Sequence, residues 1–125
     1  MMDIEKHVTY WRTTAAEELE VAGDLLKKKR ARQALFFCHL ALEKYLKALV
    51  CRTISDVPPR IHNLVKLAEY ANLELTKEQK LFLTEMNSYN IEGRYPEILG
   101  TEPSLDIAKN LFPTTKEFCK WLEKK

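Results

Sequence analysis

Residues 31–52 read ARQALFFCHLALEKYLKALVCR, and this stretch decides the fold. Placed at 100° per residue, Ala34, Phe37, Cys38, Ala41, Leu42, Tyr45, Leu46, Ala48 and Leu49 cover well over half of a helix circumference. A rod that apolar must be enclosed from several sides, so it is expected to be the central helix of its domain. The remaining polar stripe is narrow: Arg32, His39, Glu43 and Lys47 share one side, with Phe36 and Val50 among them. His39 with Glu43 and Glu43 with Lys47 are both i,i+4 pairs, the second in the more favourable orientation.

Outward from this helix the pattern stays helical. Ile4, Val8, Trp11, Ala15, Leu19, Ala22 and Leu26 recur at spacings of three and four, which predicts a long amphipathic helix from the N-cap Asp3 to the basic run at Lys27-Lys28-Lys29-Arg30. Glu5, Arg12, Glu17, Glu20 and Asp24 occupy its opposite face. The basic run reads as a solvated turn at a helix C-terminus, where cations suit the dipole. Pro58-Pro59, after Thr53-Ile54-Ser55-Asp56, forces an extended loop. A short third helix then carries Leu64, Leu67, Ala68 and Ala71. Thr76-Lys77-Glu78-Gln79 matches a capping box and opens a fourth helix, with Leu81, Phe82, Met86 and Tyr89 expected on its apolar side. Gly93-Arg94-Tyr95-Pro96 and Gly100 to Pro103 bracket a long loop. The last helix begins near Ser104, and Pro113 inside it is expected to kink it. No segment alternates with period two. The expectation is a single all-α domain over residues 1–125, an antiparallel, up-and-down bundle of about five helices.

Composition narrows the function classes. With 125 residues, 46% hydrophobic and 30% charged, the chain is the size of one domain with one core. No run approaches the roughly 18 apolar residues that span a bilayer, and the N-terminus is polar, so a cytoplasmic protein without membrane association is expected. Cys38, Cys51 and Cys119 have neither disulfide nor zinc-ligand spacing and are expected as buried, reduced thiols. Gly23, Gly93 and Gly100 form no phosphate cradle, and no metal or cofactor is indicated. A net charge of +2 leaves nucleic acid open without favouring it.

Three stretches resemble a known family. Ala41-Leu42-Glu43-Lys44-Tyr45-Leu46-Lys47-Ala48-Leu49 is similar to the A-x-E-K-x-L-K-A stretch of HEPN domains (named for higher eukaryotes and prokaryotes and for proposed nucleotide binding). His62-Asn63-Leu64-Val65-Lys66-Leu67 resembles the family's H-x-L-x-x-L after a proline-containing loop, and Arg94-Tyr95-Pro96 its R-Y-P after the fourth helix. The resemblance implies a small bundle that homodimerises and is encoded beside, or fused to, a minimal nucleotidyltransferase. Some relatives in such pairs act as toxins that the transferase neutralises. Another branch consists of metal-independent ribonucleases, marked by arginine followed, after four to six residues, by histidine.

That ribonuclease motif is missing here, because no histidine occurs beyond His62. Arg32 and His39 satisfy its spacing, but on the second helix rather than a late one. The candidate site is therefore a nucleotide-binding or partner cleft made from Glu43, Lys44, Lys47, His62, Arg94 and Tyr95. In this reading the cations hold phosphates and Tyr95 stacks on a base. The plainer reading makes Glu43, Lys44 and Lys47 an exposed or partly covered ion-pair stripe, and His62 a helix-opening residue bonded to backbone. Two functions follow: a homodimeric binding module that associates with a separate nucleotidyltransferase and contacts a nucleotide, or a ribonuclease toxin using His62 with Arg94 or His39 with Arg32.

Overall fold

The computed structural model describes residues 3–90 and 103–125. Five α-helices account for most of them: α1 (Ile4–Lys27), α2 (Ala31–Ile54), α3 (Leu64–Tyr70), α4 (Lys77–Asn87) and α5 (Leu105–Glu123), with a 3₁₀ turn at Ser88–Asn90. No strand occurs among the described residues. The protein is an all-α bundle. Arg94 and Tyr95 lie outside the described residues.

Local chemistry sets the helix ends, at Asp3, Thr76 and Ser104 where the sequence placed them. Asp3 caps α1 by accepting from the Lys6 amide, Asn63 caps α3 from Val65 and Lys66, and Ser104 caps α5 from Ile107. Thr76 and Gln79 complete the reciprocal capping box of α4. The basic run closes α1 in a Schellman arrangement: Lys29 takes a left-handed φ of 61°, and the Arg30 amide donates to the Leu25 carbonyl at 3.0 Å. Asn72 plays the same part after α3, with Leu73 donating to the Ala68 carbonyl. The tight turn at residues 28–30 folds α2 back along α1.

The core is built around α2. Leu35, Cys38, Ala41, Leu42, Leu46 and Val50 are fully enclosed, between Ala15 and Ala22 of α1, Leu64 and Leu67 of α3, Leu83 and Met86 of α4, and Phe118 and Leu122 of α5. Each enclosed leucine contributes about 1.5–3 kcal/mol relative to exposure. A second small cluster joins Val8 of α1 to Ala48 and Cys51, with Trp11 packed against it. Cys38, Cys51 and Cys119 are buried free thiols, as expected.

One detail corrects the sequence reading. Leu81, placed on the apolar face of α4, is 60% exposed, and Leu83 is buried instead. An eleven-residue helix offers too few turns for periodicity to fix its inward direction; the packing of α4 against α3 decides it. Tyr10 is 58% exposed, while its neighbour Trp11 is half-buried. α5 continues as one helix through Pro113. The Thr114 and Thr115 hydroxyls donate to the carbonyls of Asn110 and Leu111 in the turn around the proline.

Candidate functional site

The polar stripe of α2 is buried. His39 is 1% exposed, Glu43 5% and Lys47 7%, at the spacing i, i+4, i+8 along one side of the most enclosed helix. This corrects the expectation of a solvated or partly covered ion-pair stripe. Part of its cover arrives from elsewhere in the chain: the loop after α2 brings His62 against it, and α1 lays Trp11 beside Lys47.

The members of the stripe satisfy one another. Lys47 Nζ donates to Glu43 Oε2 at 2.9 Å and sits 5.5 Å from the centroid of the Trp11 ring. His62 Nδ1 lies 3.1 Å from Glu43 Oε1 and 3.2 Å from Oε2. His39 Nε2 lies 3.0 Å from the His62 carbonyl oxygen, and its Nδ1 is 3.7 Å from Glu43 Oε1. A buried carboxylate left without partners costs several kcal/mol, so these contacts are the condition for burying Glu43 at all.

The acceptors fix the imidazole tautomers. A carbonyl oxygen can only accept, so His39 carries its proton on Nε2 and donates it to the His62 carbonyl. Burial holds the His39 pKa below its usual value, against the upward pull of Glu43 and of the His62 carbonyl. His39 is therefore neutral at neutral pH. A carboxylate likewise only accepts, so His62 donates from Nδ1 to Glu43, and at neutral charge its Nε2 keeps a lone pair. The His62 side chain is 61% exposed, far more than His39, Glu43 or Lys47.

The other predicted site residues separate. Lys44, one residue beyond Glu43, is rotated away by 100° and pairs with Glu18 of α1 at 2.8 Å, where both side chains are mostly covered. It does not join Glu43 and Lys47 in one cleft; it ties α2 to α1. Arg32 is half-buried on the first turn of α2. Against pairing Arg32 with His39 as nuclease groups stands the burial of His39, whose ring is engaged with Glu43 and the His62 backbone.

The structure also holds a groove that no motif announced. Ala16, Leu19 and Gly23 of α1, Tyr45 of α2, and Lys109 and Phe112 of α5 line a cavity of about 630 Å³. Phe112 packs closely over Gly23: a Cβ at this position would stand 3.1 Å from the ring, which would have to give slightly. Tyr45 is two residues past Glu43, so the groove opens on the other side of α2 from the ionic network. Its hydroxyl donates to Glu123 at 2.7 Å, joining α2 to the end of α5. A glycine inside an amphipathic pattern was the one signal that could have pointed to the close approach of α1 and α5.

A small all-α bundle whose central helix carries a buried Glu–Lys–His stripe, closed by a histidine from the following loop, defines the class of this protein. The chain belongs to the HEPN family: the HEPN domain model matches residues 8–125, nearly the whole chain. Among solved structures, the crystal structure of TT1696 from Thermus thermophilus superposes with a TM-score of 0.79 at 20% identity, covering 94% of this chain and 96% of that one. That likeness concerns the fold. Comparison with curated proteins gives no match.

Proposed function

We propose that this protein is a HEPN-type binding module that homodimerises, associates with a separate minimal nucleotidyltransferase and contacts a nucleotide. The observation that carries the reading is the internal pairing of the family-like stretch. Both oxygens of Glu43 are engaged by Lys47 and His62, and Lys44 is engaged by Glu18. Such pairing builds a rigid scaffold and leaves His62 as the outward-facing element, which is what a docking or ligand-contact surface requires. Of the two histidines offered for ribonuclease chemistry, His39 is sealed inside the bundle, which favours the binding module over the toxin.

The test is to express the protein with a nucleotidyltransferase encoded near it, to measure its mass by light scattering, and to follow its melting with and without ATP. The module reading expects co-purification, a dimer mass and stabilisation by nucleotide, the last worth about 2.7 kcal/mol at a hundredfold excess over Kd. A monomer that captures no transferase and melts at the same temperature with ATP overturns it. Cleavage of total RNA in EDTA that disappears in His62→Ala would favour the ribonuclease instead.

A further inference from the structure

The ionic network converges on one residue. His39 holds the backbone of His62 through its carbonyl, Glu43 holds the ring through Nδ1, and Lys47 balances the charge of Glu43. Three buried polar side chains on successive turns of α2 thus fix a single exposed imidazole in position, rotation and tautomer. Burying such groups is often costly compared with an apolar stripe of the same volume. No described residue bonds His62 Nε2. Arg60, two residues before it, and Lys66, four residues after it, are both exposed.

We propose that His62 Nε2 is the contact point of a proton-linked oxyanion site of the phosphate class. The charge balance argues for it. Glu43 is already neutralised by Lys47, so a proton added to His62 brings an uncompensated positive charge, which an external oxyanion matches. The imidazolium then bridges two anions, donating inward from Nδ1 to Glu43 and outward from Nε2 to the oxyanion, in the manner of a charge-assisted hydrogen bond. The charged or titratable groups shown in this network beside His62 are Glu43, Lys47 and neutral His39, all on α2. By linkage, bound oxyanion favours the protonated ring, so binding strengthens as pH falls.

The inference deepens the nucleotide reading by naming the atom that would meet a phosphate, and its test separates the two. Inorganic phosphate, and separately ATP, are titrated into the intact protein at pH 6 and pH 8 while the imidazole nitrogens are followed by long-range ¹H–¹⁵N NMR. Phosphate is expected to shift the His62 Nε2 signal, to bind at least several-fold more tightly at pH 6, and to leave His39 unmoved. His62→Asn keeps an amide near the Nδ1 position to donate to Glu43 but has nothing at Nε2; it is expected to fold like the parent and lose the phosphate response. A His62 signal indifferent to phosphate at both pH values, or unchanged phosphate binding in His62→Asn, overturns the site. ATP binding that survives His62→Asn leaves the nucleotide reading standing without this site. Phosphate binding through His62 with no response to ATP does the reverse.

Discussion

Glu43 and Lys44 are adjacent in sequence, both charged and on the same helix, yet the structure puts them to different uses. Glu43 is sealed within a network of two histidines and a lysine; Lys44 pairs with Glu18 at the partly covered seam between α1 and α2. A rotation of 100° separates a buried ion cluster from an ordinary interhelical salt bridge. The comparison shows that the charge content of a helix says little about what its charges do, because the decisive factor is what the rest of the chain lays over each one.

The largest effect is expected where that cover is complete. Glu43→Ala leaves Lys47 buried without its counter-charge and frees the His62 ring, and it is expected to cost about 3–5 kcal/mol in chemical denaturation. A cost below about 1 kcal/mol would erase the distinction between the two residues. Next is Leu46→Ala, in the enclosed core on the same helix, with an expected cost of about 2–5 kcal/mol. It serves as the apolar yardstick for Glu43→Ala.

The pH dependence sharpens the contrast. Because burial depresses the His39 pKa, the unfolded chain binds that proton more tightly than the folded one. The stability contributed by neutral His39 is complete above about pH 6.5 and is lost as pH falls toward the depressed folded value, by at most about 1.4 kcal/mol per pH unit. His39→Gln keeps a donor for the His62 carbonyl but does not titrate. Its acid limb, measured by denaturation from pH 7 to pH 5, is expected to be flatter than that of the parent.

Smaller effects belong to the periphery and to reactivity. Lys44→Ala is expected to cost no more than about 1 kcal/mol, since a partly exposed pair gains little over its hydration. The Cys38 thiol, pushed up to about 12 by burial, and Cys119, raised further, are expected to resist alkylation at pH 8 until denaturant is added. Rapid labelling of the native protein would show that the bundle opens readily around α2 and α5.

Much of this architecture was legible in the residues. The apolar coverage of 31–52 made α2 central, Asp3, Thr76 and Ser104 marked helix starts, and the Ala41–Leu49 and His62–Leu67 stretches pointed to the family. The burial of His39, Glu43 and Lys47 was not legible, because periodicity separates polar from apolar faces but does not say which polar face another segment will cover. Its cover at Glu43 comes from His62, nineteen residues further on, around a proline loop whose path local rules do not determine. Leu81 is exposed and Leu83 buried for a related reason: in a short helix the neighbour, not the pattern, chooses the buried side.

The buried network demands opposite proton placements in two neighbouring rings, and long-range ¹H–¹⁵N correlation of the imidazoles near pH 7.5 reads them directly. His62 should carry its proton on Nδ1, the minor form of a free imidazole, while His39 carries its own on Nε2. A His62 pattern matching the averaged, Nε2-weighted one of an unconstrained histidine would mean that Glu43 does not hold the ring, and the network would not be the device described.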